Sequence, residues 1–517
     1  MRMKNSIKIV LFSVCSFWGM TSCSDWLNVK MEDRIMENTL YSKNEGFLIA
    51  LNGAYLELNN IYSRDLAAGV IDVMAQYYNV TENIDHTYKI YAGYKYRDVS
   101  FESRNNAIWS AMYTLLANIN VIIEHCDQDG SAILAKYYPI VKGEALALRA
   151  MLHFDLLRLY GPVYNASTAL IECIPYQATS GREIQPLLPA EDVLNKVIGD
   201  LQVATTLLKD ADPILTDGIG LITPEDNGIA DNNFSFRQLR LNYYAVQALL
   251  ARAYLWKGDK NEAYRIVKNE IIDKVQIEGK EIFSWTSREA FEAEGKEDYM
   301  FSSEVFFALY NSERVTIDNA LFAEALSLKS RLTFVGEGFS GNSKVAVLYD
   351  DDNDWRKKMW VVVEPSEEEK ENAAANQIEA KNSLSLRKYK DFEKSAQYNG
   401  SDIYRYMIPL VRLSEVYLIA AECAPSEVEA RAYINEIRKH RNCLNIPEGE
   451  VDLTEVITKE FAKEMIGEGQ LFFYYKRLAK ENLMSGTSAF GTYSMVLSNY
   501  VWPLPDSETD KRVSILK

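Results

Sequence analysis

Residues 239–272 read LRLNYYAVQALLARAYLWKGDKNEAYRIVKNEII, and this stretch limits the possible folds more than any other. Ala245, Ala248 and Ala253 repeat along one helical stretch, Tyr254 and Leu255 precede Gly258, and Ala263 follows in the next stretch. Glycine just past a periodic run is a helix stop. The pattern therefore predicts two helices joined as a hairpin. A second pair is predicted over 410–441, LVRLSEVYLIAAECAPSEVEARAYINEIRKHR, with the break at Ala424-Pro425. Segments 104–125 and 136–160 are candidates for a third. One hairpin cannot bury its own apolar face, so such units stack on each other.

These spacings are tetratricopeptide-like, and they predict a mainly α chain: helical hairpins as a scaffold, with an irregular, loop-rich C-terminal half. Around the hairpins, Phe47, Leu48, Leu51, Tyr55 and Leu58 mark an earlier helix. Ala145, Leu148, Leu152, Leu156 and Leu159 mark another, stopped by Gly161-Pro162. Residues 161–188 carry Pro162, Pro175 and Pro186 and read as an extended excursion, and a helix starts after Pro189. Pro, Gly and Asp at 210–235 predict a loop. Residues 275–405 lack a long helical period, and their charged run EPSEEEKENAAANQ at 364–377 reads as a solvated loop.

At the N-terminus, Arg2, Lys4 and Lys8 precede the apolar run from Ile9 to Met20. That is signal-peptide length, too short to span a bilayer comfortably. Cys23 follows small residues in MTSC, which resembles a bacterial lipobox. In this reading residues 1–22 are removed and Cys23 is acylated, tethering the protein to a membrane. The other reading is an incidental thiol beside an ordinary cleavage site. No other apolar stretch approaches the roughly 20 residues that a transmembrane helix needs.

Removal of the leader takes Arg2, Lys4 and Lys8 with it, so the formal charge moves from −17 to −20. Such an acidic body is repelled by phosphate backbones, which excludes nucleic acid as the expected partner. Cys126, Cys173, Cys423 and Cys443 are widely spaced, with neither a zinc pattern nor a disulfide rhythm, and Cys423 sits on an apolar helix face. His86, His125, His153 and His440 show no ligand spacing, so neither metal nor cofactor is expected.

CSDWLNV, GEALALRAMLHFDLLRLYGPV, ALLARAYLWKGDKNEA, RLSEVYLIAAEC, EFAKEMIGEGQLFFYYKR and the terminal YVWPLPDSE occur in that order between residues 23 and 508. Together they resemble the SusD/RagB family of outer-membrane nutrient-binding lipoproteins of Bacteroidota. The resemblance implies a helical N-terminal domain over 23–275 and a C-terminal domain over 276–517. It implies a surface lipoprotein facing the cell exterior, which captures oligosaccharide or peptide and delivers it to a SusC-like TonB-dependent transporter, without catalysis. The family's Arg-Trp-x-Asp-Leu run is replaced here by Leu471-Phe472-Phe473-Tyr474-Tyr475, so a role for that acid does not carry over.

Sugar recognition uses aromatic faces for C–H edges and planar polar groups for hydroxyls. Residues 74–98 hold Tyr77, Tyr78, Tyr88, Tyr91, Tyr94 and Tyr96, interleaved with Asn79 and Arg97. So many tyrosines outside a clear helix are hard to bury at once, because each buried hydroxyl needs a partner. They are the first candidate ligand contacts, set against a tyrosine-rich packing seam. Trp285 and Tyr299 form the second zone, set against simple core placement.

Residues 349–360, YDDDNDWRKKMW, lack the glycine and glutamate of a calcium loop. Asp354 and Arg356 are read as a structural pair. Glu460, Glu464 and Glu468 stand four apart on one predicted helix face, read as structural near cations such as Arg477 rather than catalytic. The rival functions are a ligand-free tetratricopeptide-type scaffold and a surface glycoside hydrolase, which needs two positioned carboxylates.

Overall fold

Helices form where the apolar spacing and caps predict them. The computed structural model describes residues 31–80, 85–219, 232–277, 280–377, 379–391, 403–449 and 451–515; the leader and Cys23 lie outside the described residues. The N-terminal half contains α1 Met31–Leu40, α2 Asn44–Ile61, α3 Val99–Asp127, α4 Tyr138–Tyr160, α5 Ala190–Leu208, α6 Tyr243–Lys257 and α7 Lys260–Arg265. Asn242 caps α6 by accepting from Ala245 N, Gly258 takes the left-handed φ of 87° that ends it, and Asp259 caps α7. The predicted hairpin at 239–272 is therefore present, continued by a π-helical turn at Ile266–Ile272. Helix α4 is central and buried nearly all round; α3 and α5 pack on it, and α6 packs on α5.

The C-terminal half alternates short strands with α8 Val315–Leu321, α9 Glu367–Ala375, α10 Leu413–Cys423, α11 Glu427–Lys439, α12 Leu453–Glu464, α13 Leu471–Arg477 and α14 Asp506–Ile515. Helices α10 and α11 are the second predicted hairpin, and α10 packs against α7 and α12. A two-stranded antiparallel ribbon pairs Val305–Tyr310 with Met407–Arg412, and Thr333–Phe334, Ser383–Leu386 and Trp360–Val363 form a three-stranded sheet with the middle one central. One cluster of buried side chains runs from Tyr41 to Trp502. Cys126, Cys173, Cys423 and Cys443 are all buried and free.

Two expectations need correction, on the run at 364–377 and on the apolar length of α3. The run at 364–377 is not a loop: Ser366 accepts from Glu369 N and Glu369 reaches back to Ser366 N, a capping box that starts α9 with three acids in its first turn. The excursion at 161–188 carries a short antiparallel ribbon, Glu172–Ile174 with Leu188–Pro189, which agrees with its extended reading. Helix α3 is long and apolar enough to cross a membrane by length and composition, yet half of its most apolar window is buried in the protein.

The glutamates of α12 show why the second half closes. Glu464 accepts from Arg356 at 2.7 Å and from Arg441 at 2.8 Å, with Arg412 at 3.3 Å. Glu460 accepts from Arg438 at 2.7 Å and Lys463 at 2.9 Å, and Arg356 is held by Asp354 at 2.6 Å. The Asp354–Arg356 pair is thus present, whereas Arg477 pairs with Glu422 and not with the glutamate face. Helix α12 ends at Glu464, so Glu468 lies in the following turn, where it accepts from Arg412 at 2.9 Å. That turn needs Gly469 at φ 66°: a Cβ there would stand 1.8 Å from Leu66 O.

Burial raises the Glu460 carboxyl, but Lys463, Arg356 and Arg438 outweigh it and hold it at about 2. A carboxyl depressed on folding contributes stability that is complete above its unfolded value near 4.5 and is lost as pH falls toward 2. The urea unfolding midpoint is expected to fall steadily from pH 5 to pH 2. Glu464→Gln, which strips charge from a site holding three guanidinium groups, is expected to cost about 3–5 kcal/mol at pH 7 by urea titration.

Candidate functional site

The tyrosine-rich segment is a folded-back strap. Gln76, Asp85 and Tyr94 take positive φ of 60°, 55° and 51°, so the chain turns tightly three times. Gln76 Nε2 donates to Ala92 O at 2.9 Å and to the Tyr94 hydroxyl at 3.1 Å, while that hydroxyl donates to Met74 O at 2.6 Å. The Tyr77 hydroxyl donates to Ala462 O at 2.7 Å and that of Tyr96 to Asn499 O. On the other side, Asn79 N donates to Thr333 O at 2.7 Å. Tyr88 N donates to His86 Nδ1, which leaves the ring proton on Nε2 to reach Arg331 O at 3.2 Å.

Tyr77, Tyr78, Tyr91 and Tyr94 are buried; Tyr88, Tyr96 and Asn79 are half-buried, and Arg97 is exposed. The premise that these tyrosines resist joint burial fails for Tyr77 and Tyr94, whose hydroxyls donate to backbone carbonyls, and for Tyr91, whose ring Arg104 covers at 5.6 Å. Tyr78 is the exception: its buried hydroxyl has no hydrogen-bond partner among the described residues. Trp285 is half-buried, stacked on His440 at 4.9 Å with Arg441 5.3 Å from its centroid, and Tyr299 is buried against Phe291. Tyr96 and Arg97 line a recess of about 290 Å³ with Asn105 and Asn106.

The free aromatic faces beside the strap are ones that sequence reasoning passed over. Phe339 is 43% exposed and Phe490 71%. Each sits alone in a small-residue loop, GEGFSGNS at 336–343 and GTSAFG at 486–491. A lone aromatic among glycines and serines was the available signal. Lys344 N donates to Val335 O at 2.9 Å and closes the first loop; Ser485 N donates to Gly491 O at 3.0 Å and closes the second. Buried Lys344 then roots both on the strap, its Nζ donating to Gln76 O and Tyr77 O at 2.7 Å and to Ser485 O at 2.9 Å. Burial pushes that ammonium well below the usual lysine range. A Cβ on Gly486 would lie 2.3 Å from Tyr78 O, so only glycine lets the second loop approach.

The loops also expose Asn342, Thr487 and Ser488. An apolar ring beside hydroxyls and an amide is chemistry suited to a pyranose: the ring meets C–H edges while the polar groups meet hydroxyls.

A scaffold of stacked helical hairpins bearing aromatic-tipped loops defines the class: a mainly helical, tetratricopeptide-like fold. Two family models match the chain: that of the SusD family over residues 349–515, and one described as starch-binding associating with outer membrane over residues 25–215. The chain belongs to the SusD family. No curated protein matches it in sequence. Among solved structures it is similar to a SusD superfamily protein from Bacteroides thetaiotaomicron, at 21% identity and TM-score 0.65, covering 90% of this chain and 98% of that one. It is similar to a SusD-like carbohydrate binding protein from Bacteroides vulgatus, at 16% identity and TM-score 0.63, with 90% and 96% covered. It is also similar to surface glycan-binding protein A from Bacteroides thetaiotaomicron, at 16% identity and TM-score 0.58, with 92% and 99% covered.

Two substitutions separate core tyrosines from contact residues. Tyr78→Phe removes an unpartnered hydroxyl and is expected to raise stability by up to about 1 kcal/mol. Tyr91→Ala opens a cavity beside Tyr88 and Phe101 and is expected to cost about 3–5 kcal/mol. Chemical denaturation of both variants checks the pair.

Proposed function

We propose that this chain is a non-enzymatic outer-membrane surface lipoprotein that captures an oligosaccharide and delivers it to a SusC-like TonB-dependent transporter. The observation that carries the reading is the pair of exposed rings, Phe339 and Phe490, on loops rooted together by Lys344. Of the strap candidates, Tyr88, Tyr96 and Asn79 are half-buried and Arg97 is exposed, so these four keep surface for a ligand. The carbohydrate-binding description of similar structures supports a glycan over a peptide. The glutamates of α12 are occupied by arginines, which argues against their serving as a hydrolytic pair. The cysteine anchor follows from the lipobox-like MTSC, and the outer-membrane address from the family model of the N-terminal half.

Calorimetry of the mature protein against laminarin, starch and a peptide panel tests capture. Phe490→Ala and Phe339→Ala are each expected to weaken glycan binding at least about tenfold, a loss of about 1.4 kcal/mol, with an unchanged unfolding midpoint. Unaltered glycan affinity in both variants, or binding of peptides alone, overturns the site, and sugar release during incubation overturns the non-enzymatic reading. For the anchor, Cys23→Ser is expected to move the protein out of the membrane fraction, and mass spectrometry of the mature N-terminus is expected to show an acylated Cys23.

A further inference from the structure

Lys344 is the one hydrogen-bonded link between the two aromatic loops among the described residues. Its backbone N–H closes the Phe339 loop on Val335 O, and its Nζ donates at 2.9 Å to Ser485 O, at the base of the Phe490 loop. The two bases therefore stand one lysine side chain apart. Each loop is otherwise loosely made. Gly336, Gly338 and Gly341 lie in the first and Gly486 and Gly491 in the second, and glycine brings little conformational preference of its own.

A lysine is an unfavourable residue for that place on stability alone. Lys344 is 2% exposed, and no carboxylate pairs with it among the described residues. Taking an ammonium out of water without a counter-ion is costly, and an apolar side chain of similar volume avoids that cost. What only the ammonium can do is aim three N–H donors at once, here at Gln76 O, Tyr77 O and Ser485 O. Those carbonyls belong to two distant parts of the chain, and the Phe334 ring backs the ammonium 5.2 Å from Nζ. The arrangement fixes a geometry rather than adding apolar burial.

That geometry concerns the two exposed rings. Phe490 adjoins Gly491, whose carbonyl closes its loop, so its backbone stands at one base. Phe339 lies four residues past Val335, which keeps its backbone within about 14 Å of the other base by chain reach. One ligand can use both rings at full strength only if their spacing is set beforehand, because platforms that must be ordered on binding lose affinity in the process.

We infer that Lys344 is a positioning residue of the glycan surface: it sets the spacing of Phe339 and Phe490 so that one oligosaccharide chain engages both rings, and the site thereby selects long chains over short ones. This rests on the reading of Phe339 and Phe490 as glycan contacts. Lys344 is enclosed, so it acts through the loops and not by contact.

The test titrates the mature chain by calorimetry with three-unit and six-unit oligosaccharides prepared from laminarin and from starch. The unaltered protein is expected to bind the six-unit chain at least about fiftyfold more tightly than the three-unit chain. Lys344→Met is expected to cut that preference below about fivefold while three-unit affinity stays within about twofold, and adding Phe339→Ala to it is expected to cost no further six-unit affinity. Gly486→Ala keeps Lys344 but places a Cβ 2.3 Å from Tyr78 O, so it displaces the second loop and is expected to lower the preference in the same way. Without glycan, Lys344→Met is expected to speed amide hydrogen exchange in 336–343 and 485–491 together. Exchange unchanged in both loops, or a length preference that survives Lys344→Met, overturns the inference and leaves Phe339 and Phe490 as contacts. Equal binding of both lengths by the unaltered protein, or loss of three-unit binding in Lys344→Met, overturns it too. Unaltered affinity in Phe339→Ala and Phe490→Ala removes the glycan reading itself, and the inference with it.

Discussion

The C-terminal half depends on one buried array of charge. Arg356, Arg412 and Arg441 are wholly enclosed and held by Asp354, two residues before Arg356, and by Glu304, Glu460, Glu464 and Glu468 from other parts of the chain. A buried guanidinium is tolerated only when its charge and donors are met, so the loop at 354–356, the ribbon strand Met407–Arg412, the end of α11 and helix α12 must arrive together. A segment with few regular elements gains in this way a geometry that apolar packing alone specifies poorly.

Two buried lysines extend the same principle to backbone carbonyls. Lys476 Nζ donates to Arg158 O and Gly161 O at 2.7 Å, closing the end of α4 against α13, and burial brings it down to about 7. Lys344 does the equivalent for the strap and the two aromatic loops. Each supplies three donors where irregular chain ends leave carbonyls without ladder partners. The candidate glycan surface is therefore rigid at its base although its tips lie in loops, which is the arrangement a preformed binding site requires.

The structure also divides labour between the halves. Hairpin helices around α4 supply a continuous core, while the excursions between them supply surface. The exposed rings Phe339 and Phe490 lie on the excursions of the C-terminal half.

Helical periodicity was legible along the chain: Ala245 to Ala263 and Leu413 to Arg438 form the hairpins their spacing predicts, because a 3.6-residue period and a glycine stop are local properties. The pairing of Asp354 with Arg356 was legible for the same reason, two residues apart on one turn. Which aromatics face solvent was not. Tyr77 and Tyr94 are buried because Ala462 O and Met74 O, one of them nearly four hundred residues away, accept from them. Phe490 is exposed because Lys344 and Gly486 lift its loop onto the strap. Residue type and spacing determined the elements and the family; exposure, and with it which rings are free for contact, was decided by long-range contacts that only the folded chain contains.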